Sequence, residues 1–282
     1  MKKRLTSTLL ALALCLSLLP TAALAEEGTQ KWEGWTQLTD ATTSMSGGNY
    51  YLAGDVTISQ SITVSGTVTL DLNGNTLASN SNNYAIEINN GGNLTITDST
   101  SGGMIGDTIT LQAESSSTFH MTGNAVNNGT LIITGDAKFT MDGNTKNGGK
   151  ISLNALTSSN NIIFRGQAEA GTVEINQAQE YAGICVEGSA KIAELNGNNN
   201  SIMLTMKDDT EIGKVEELSF NNPQLSGNAT LGSADSSFAI KIPKIEGETE
   251  PNNFTIQDHV QLYGKVTIVL ADHKKKFILG GN

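Results

Sequence analysis

The sequence predicts an all-β protein, and more specifically a parallel β-helix, a solenoid of stacked coils. Strand-like segments of three to five residues, rich in Val, Ile and Thr, alternate with Gly/Asn/Asp turns from residue 50 to 270. Similar phrases recur, beginning at Gly66, Gly92 and Gly129, at separations typical of solenoid coils. Asn pairs also recur, and stacked turns can ladder such amides from one coil to the next.

The same turns leave an alternative open. Asn-Gly dipeptides such as Asn73-Gly74 and Asn128-Gly129 adopt the positive φ that tight turns need, and they are also typical of two-residue hairpins. An antiparallel sandwich or barrel is therefore the second possibility. The strand-like segments are shorter than typical sandwich strands, which favours the solenoid.

Composition excludes several classes of protein. Only 16% of the 282 residues are charged, and the formal net charge is -11. A coiled coil or charged helical bundle needs far more Glu, Lys and Arg. Nucleic-acid binding needs clustered Lys and Arg, so we expect no nucleic-acid partner. The 38% of apolar residues argue against intrinsic disorder.

The N-terminal segment up to Ala25 has the three parts of a secretory signal peptide. Lys2, Lys3 and Arg4 precede an apolar run of residues 9–19, and small residues lead to predicted cleavage after Ala25. The run is too short for a membrane span, and Leu14 before Cys15 does not fit a lipid-attachment signal. Cleavage leaves a mature charge of -14, and no membrane span is expected in the mature chain. We therefore expect a secreted, extracellular or cell-surface protein.

Four segments follow from these patterns. Residues 1–25 form the signal peptide, residues 26–55 an N-terminal cap, residues 56–270 the β-helix and residues 271–282 a C-terminal tail. The cap range holds both Trp residues of the chain, and a cap protects the open edge and core of a first coil.

Residues 48–77 resemble a known group of proteins. They read Gly-x-Tyr-Tyr-Leu-x-Gly-Asp-Val at Gly48, then Leu-x-Leu-Asn-Gly-x-Thr-Leu at Leu70, with Asn75 where that group often has His. This is similar to the opening of secreted, surface-associated, right-handed β-helix proteins of Gram-positive bacteria, broadly pectin-lyase-like. The resemblance implies export and a right-handed coil stack, and it implies no reaction.

The candidate catalytic residues are sparse. A polysaccharide lyase needs a base, usually Arg or Lys, and clustered carboxylates. The mature chain has one arginine, Arg165, which has no carboxylate cluster beside it in the sequence and which we expect to be a solvated turn residue. A glycoside hydrolase needs two nearby carboxylates. The densest acidic segment, residues 208–217, is expected to be a wet loop, and Asp71 and Asp98 are expected to cap turns.

Metal and nucleophile motifs are missing from the sequence. His120, His259 and His273 are isolated, so we expect no metal site and no cofactor. Cys185 is the one cysteine left after cleavage, and its apolar neighbours predict a small buried side chain.

Binding is the remaining class of function. Trp32, Trp35, Tyr50 and Tyr51 could stack on sugar rings, although packing within a cap is the expected role. A Thr- and Asn-rich sheet face suits glycans, and Thr67-x-Thr69 and Thr95-x-Thr97 are too few for an ice-binding array. The sequence thus predicts a non-catalytic surface or adhesion protein that contacts glycans or surface proteins. The alternative is a carbohydrate-active enzyme, a glycoside hydrolase or polysaccharide lyase with carboxylates on adjacent coils.

Overall fold

The computed structural model describes residues 31–81, 84–158, 161–242, 254–256, 258–270 and 277–279. Within these residues there is no helix, and the strands form a parallel β-solenoid of about nine turns. The predicted fold class is therefore confirmed as all-β and parallel. The antiparallel alternative is wrong, because strands pair with their counterparts one coil away and not with their sequence neighbours.

The strands are short in the first coils and longer in the later ones. In chain order they are β1 (Thr36–Gln37), β2 (Ser44–Met45), β3 (Gly48–Tyr51), β4 (Val56–Ile58), β5 (Ile62–Val64), β6 (Thr67–Asp71), β7 (Thr76–Ser79), β8 (Ile86–Ile88), β9 (Asn93–Asp98), β10 (Met104–Ile105), β11 (Thr110–Ala113), β12 (Thr118–Gly123), β13 (Val126–Asn127) and β14 (Thr130–Thr134). They continue as β15 (Lys138–Met141), β16 (Lys146–Asn154), β17 (Ile162–Phe164), β18 (Glu169–Ile175), β19 (Gly183–Val186), β20 (Lys191–Met206), β21 (Glu211–Asn221), β22 (Gln224–Leu225), β23 (Thr230–Leu231), β24 (Ser237–Ile242), β25 (Phe254–Ile256), β26 (Gln261–Leu262), β27 (Lys265–Leu270) and β28 (Phe277–Leu279).

Three columns of strands run along the solenoid, and each turn of the chain visits them in order. Column 1 contains β3, β6, β9, β12, β15, β17, β19, the end of β20 and β22. Column 2 contains β4, β7, β10, β13, the starts of β16, β18, β20 and β21, and then β23 and β26. Column 3 contains β2, β5, β8, β11, β14, the following segments of β16, β18, β20 and β21, and then β24 and β27.

The core lies between the three columns. Buried and half-buried residues alternate in β9 and β12, so every second side chain points inward, as period-two patterning predicts. Some inward side chains stack on residues of the same type in the neighbouring coils. Phe119, Phe139 and Phe164 on three successive coils have ring centroids 5.4 and 5.9 Å apart.

Amide ladders join the turns, as the sequence predicts. Buried Asn127 donates from Nδ2 to Oδ1 of Asn147 one coil on (2.5 Å). A second ladder runs through Asn154, Asn176 and Asn198 at 2.7 and 3.2 Å. None of these three belongs to a recurring Asn pair, although Asn198 adjoins one. Each of these amides thus finds its partner in the equivalent turn of the next coil.

The structure describes only part of the predicted signal-peptide and cap ranges. Residues 1–30, with the predicted signal peptide and Ala25, lie outside the described residues. Of the described residues, 31–36 belong to a unit of their own, in which the Trp32 and Trp35 rings meet edge to face at 5.0 Å and Lys31 Nζ lies 4.5 Å from the Trp32 ring. Strands β2 and β3 fall within the predicted cap range and pair in parallel with β5 and β6 of the next coil.

Candidate functional site

A five-residue turn repeats between columns 1 and 2 from residue 122 onward. The second residue of the turn has a left-handed backbone conformation (φ 66–74°). It is Gly in every copy except one, which has Asp208 at this position. Its fourth residue is a buried Ala or Thr, which packs under the turn. The copies are residues 122–126, 142–146, 165–169, 187–191, 207–211 and 226–230.

Four of these turns carry opposite charges at their two ends, and the sign reverses from each coil to the next. The first positions form what we call the turn ladder: Asp142, Arg165, Glu187 and Lys207. The last positions form the wall ladder: Lys146, Glu169, Lys191 and Glu211.

Ion pairs connect neighbouring coils within both ladders. In the wall ladder, Lys146 Nζ lies 3.0 Å from Glu169 Oε2, and Lys191 Nζ lies 2.9 Å from Glu211 Oε2. In the turn ladder, Arg165 Nη2 lies 2.8 Å from Asp142 Oδ2. Strands in adjacent coils are about 4.8 Å apart, so opposite charges stack where like charges would repel.

A groove lies beside the wall ladder, at the corner between columns 2 and 3. Its volume is about 480 Å³, and it is lined by the wall ladder, by Gly148, Gly171 and Ala193, and by the inward-pointing residues between them. Packing requires the small residues at this corner. A Cβ on Gly149 would lie 2.0 Å from the carbonyl oxygen of Gly129, and one on Gly213 would lie 2.6 Å from that of Ala193. These two glycines lie next to the groove. Of the glycines that line it, a Cβ on Gly148 would lie 2.9 Å from Asn128 Oδ1 and one on Gly171 would lie 3.2 Å from the carbonyl oxygen of Asn147.

Hydrogen bonds shift the pKa of three ladder residues. The hydrogen bond to Glu211 raises the pKa of Lys191 above its usual range. In the turn ladder, the Cys185 thiol and then Lys207 lower the pKa of the Glu187 carboxyl, and the bond to Glu187 raises the pKa of Lys207. Both wall-ladder carboxylates are ion-paired to a lysine one coil away.

A second surface, the neutral face, covers the outer side of column 1 in the earlier coils. Thr69 stacks on Thr95, and Thr97 stacks on Thr122. In the latter row Asp71 follows Thr97, and Tyr51 follows Asp71. The two predicted Thr-x-Thr segments do not superpose in register, because Thr67 faces Asn93 and Thr97 faces Asp71.

One histidine lies where the neutral face meets the ladders. His120 Nε2 lies 4.0 Å from Asp142 Oδ2, too far for a hydrogen bond, and that oxygen accepts a hydrogen bond from Arg165 Nε (2.9 Å). Burial lowers the pKa of His120, the Asp142 charge partly opposes this, and Arg165 lowers the pKa further. The sequence expectation for Arg165 is incomplete. It is an exposed turn residue, but Asp142 of the preceding coil pairs with it, and this also brings the sequence-isolated His120 beside a carboxylate.

The other singled-out residues have structural roles. Asp71 accepts from the Asn73 and Ser99 amides (2.8 and 3.1 Å), and Asp98 from the Gly74 and Gly103 amides (both 2.8 Å), so their predicted capping is confirmed. Cys185 is buried, as predicted. Burial, followed by the contact with Glu187, raises the pKa of its thiol to about 12. A thiol with that pKa is not a nucleophile at neutral pH.

The acidic segment near residue 208 is part of the coil stack. The carboxylate of Asp208 accepts from the Gly188 amide (3.1 Å), and that of Asp209 from the Asn228 side chain (2.6 Å). Asp208 and Asp209 are exposed in a turn, as the sequence predicts, whereas Glu211, Glu216 and Glu217 belong to strand β21 and not to a loop.

Sequence reasoning missed both ladders. The signal was available as the repeated turn x-Gly-x-Ala/Thr-x, whose end residues change sign at intervals of about one coil. Its copies stand out only when the charges are compared across coils, not along one segment.

Comparisons with protein-family models, curated proteins and solved structures found no match to the chain. In the part of the chain that the structure describes, no helix combines the length and apolar character of a membrane span. The same residues contain no group of three or more His, Cys, Asp or Glu side chains placed to hold a metal ion.

Proposed function

We propose that this protein is an exported, non-catalytic surface module that contacts glycans through the groove beside the wall ladder. The observation that carries the proposal is the composition of that groove. It has a small-residue floor at Gly148, Gly171 and Ala193, bordered by paired charges with hydrogen-bonding capacity left over. Apolar floors with a few polar groups are typical of ligand sites, and C–H-rich sugar faces suit such a floor.

The ion pairs favour binding over catalysis. A glycosidase needs one carboxylic acid that holds a proton near neutral pH and can release it to the leaving group. Glu169 and Glu211 are each ion-paired with a lysine and are about half exposed, so neither lies in the apolar pocket that such an acid requires.

Export is the second part of the proposal. Its support is the three-part pattern ending at Ala25 and the resemblance of residues 48–77 to secreted, pectin-lyase-like surface proteins of Gram-positive bacteria. A surface location gives a non-catalytic glycan-contacting module its natural partners, which are polysaccharides and glycosylated surface proteins.

The first experiment fills the groove. Ala193 is exposed on the floor, so Ala193→Trp adds bulk there without displacing core residues. We expect the mature protein to bind at least one linear glycan on an array, and Ala193→Trp to weaken that binding by about tenfold or more in titrations. Ala53→Trp is the matched control, because Ala53 is also exposed and lies in an early coil outside the groove.

Three outcomes would contradict the proposal. If no glycan binds, the glycan-contacting role is wrong. If both Trp variants bind like the parent protein, the groove is not the site. If the parent protein releases reducing ends or unsaturated products from a polysaccharide, the alternative of a carbohydrate-active enzyme is correct.

A further inference from the structure

The wall ladder has a longer repeat than the coils that carry it. Its charges read plus, minus, plus, minus over four coils, from Lys146 to Glu211. With coils about 4.8 Å apart, the charge pattern repeats every two coils, or about 9.6 Å. A ligand that follows this pattern along the solenoid axis must therefore have a repeat of that length.

Linear glycans with β-linkages advance by nearly one coil spacing for each pyranose. A glycan lying along the groove would thus place one sugar beside each coil, and successive sugars would face a lysine and a glutamate in turn. The four coils of the wall ladder correspond to four sugars, or two disaccharide repeats.

The ladder keeps the capacity to bind a charged ligand although it is internally paired. About half of each charged side chain is exposed, for example 54% of Lys191 and 47% of Glu211. An ammonium has three donors and a carboxylate about four acceptor positions, and one close contact in each pair leaves the rest available.

Net charge restricts the class of ligand further. The chain carries a formal charge of -11, so a polyanionic glycan is repelled at long range. A polycationic glycan is attracted at long range, but it meets a lysine at every second coil of the groove. A chain with alternating cationic and anionic sugars avoids both penalties and matches the ladder in sign and spacing.

We propose that the groove binds a linear, β-linked polysaccharide whose disaccharide repeat contains one amino sugar and one uronic acid, with the glycan parallel to the solenoid axis. This rests on the proposed function for the site and adds the class of glycan and its orientation. Each amine faces a wall-ladder glutamate, and each uronate faces a wall-ladder lysine.

The test uses four tetrasaccharides of similar length. De-N-acetylated hyaluronan alternates glucuronate with glucosamine and carries both charges. Its N-acetylated parent is anionic, chitosan is cationic and cellotetraose is neutral. We expect the mature protein to bind the zwitterionic tetrasaccharide about tenfold more tightly than each of the other three at low salt, with the preference reduced by added salt.

Two ladder variants separate charge pattern from structural support. In the neutral ladder every member becomes Gln, and the preference for the zwitterionic ligand should disappear. In the inverted ladder each sign is exchanged, so that coil-to-coil pairing is kept and the preference should persist with the glycan shifted by one sugar. The substitutions are Lys146→Gln, Glu169→Gln, Lys191→Gln and Glu211→Gln, or Lys146→Glu, Glu169→Lys, Lys191→Glu and Glu211→Lys. Circular dichroism and thermal melting show whether each variant is folded.

The outcomes distinguish this inference from the proposed function. If a neutral or singly charged glycan binds as tightly as the zwitterionic one and Ala193→Trp still abolishes binding, the groove is a glycan site but its charge pattern selects nothing. If the folded neutral ladder keeps the full preference, the inference is also wrong. Failure of every tetrasaccharide to bind, when another glycan binds in the groove, overturns the ligand class alone.

Discussion

Two halves of the coil stack avoid electrostatic repulsion between neighbouring coils in different ways. Residues 67–134, which we call the neutral half because Thr stacks on Thr and on Asn along its outer faces, contain no Lys or Arg but five scattered carboxylates. Residues 138–216, the charged half, hold every member of the two ladders. Neutral side chains avoid repulsion between coils, whereas alternating charges convert the same proximity into attraction.

Coil length varies along the stack. In the neutral half, Thr67 and Asn93 stack across a separation of 26 residues, and Thr110 and Thr130 across 20 residues. In the charged half, Asp142 and Arg165 stack across 23 residues, and Lys191 and Glu211 across 20 residues. Coils of unequal length cannot exchange places, but coils with the same turn could pair one step out of register. The ladders oppose that error, because a shift of one coil brings like charges together.

The largest expected effect tests whether the halves fold as one body. Phe139 lies at their junction, between Phe119 of the neutral half and Phe164 of the charged half. Phe139→Ala should lower the free energy of unfolding by about 3–5 kcal/mol in urea titrations, because it leaves a cavity in a fully buried stack. Thr140→Ala, on the outer face of the same strand, should change it by less than about 0.5 kcal/mol.

Hydrogen exchange on Phe139→Ala shows whether the two halves unfold together or independently. We expect amides in both halves to lose protection together, because the core is continuous across the junction. Loss of protection confined to one half would mean that the halves are independent folding units.

A new glutamate should lower the free energy of unfolding more in the charged half than in the neutral half. Lys191→Glu places three carboxylates on successive coils, since Glu169 and Glu211 flank it. It should lower the free energy of unfolding by about 1–2 kcal/mol at low salt, and the loss should shrink in about 1 M salt. Thr95→Glu in the neutral half, between Thr69 and His120, should cost less than about 0.5 kcal/mol. Equal costs for the two variants would show that the ladder has no special role in stacking.

The smallest expected effect concerns the boundary residue. The pKa of His120 is lowered by burial and by Arg165, while Asp142 raises it. Arg165→Gln should therefore raise the pKa of His120, and Asp142→Asn should lower it further, as measured by NMR titration of the imidazole C–H signals. An unchanged pKa in both variants would mean that the ladder's charges do not extend into the neutral face.

The coil architecture could be predicted because its signals are local. Alternation in residues 68–72, turn dipeptides such as Asn73-Gly74 and the capping carboxylates Asp71 and Asp98 all act within a few residues or one turn. The burial of Cys185 likewise followed from its apolar neighbours.

The groove could not be predicted, and the ladders could be found only by comparing the repeated turns across coils, because both depend on coil length. Lys146 meets Glu169 and Lys191 meets Glu211 only because a whole coil of the right length lies between the two members of each pair. His120 likewise meets Asp142 of the next coil, and nothing in the intervening sequence indicates that approach. The number of residues in a coil varies with turn length, so sequence separation alone does not identify the side chains that stack.

Because the charges alternate in sign from coil to coil, the ion pairing between coils depends on whether the number of coils changes by one or by two. Loss of one coil from the charged half would bring Lys146 against Lys191, and loss of two would bring Lys146 against Glu211. Gains follow the same rule, since an inserted coil fits the sequence of signs only when a second accompanies it. This half of the molecule can therefore change length without electrostatic penalty in steps of two coils, each step adding or removing one whole period of the charge pattern.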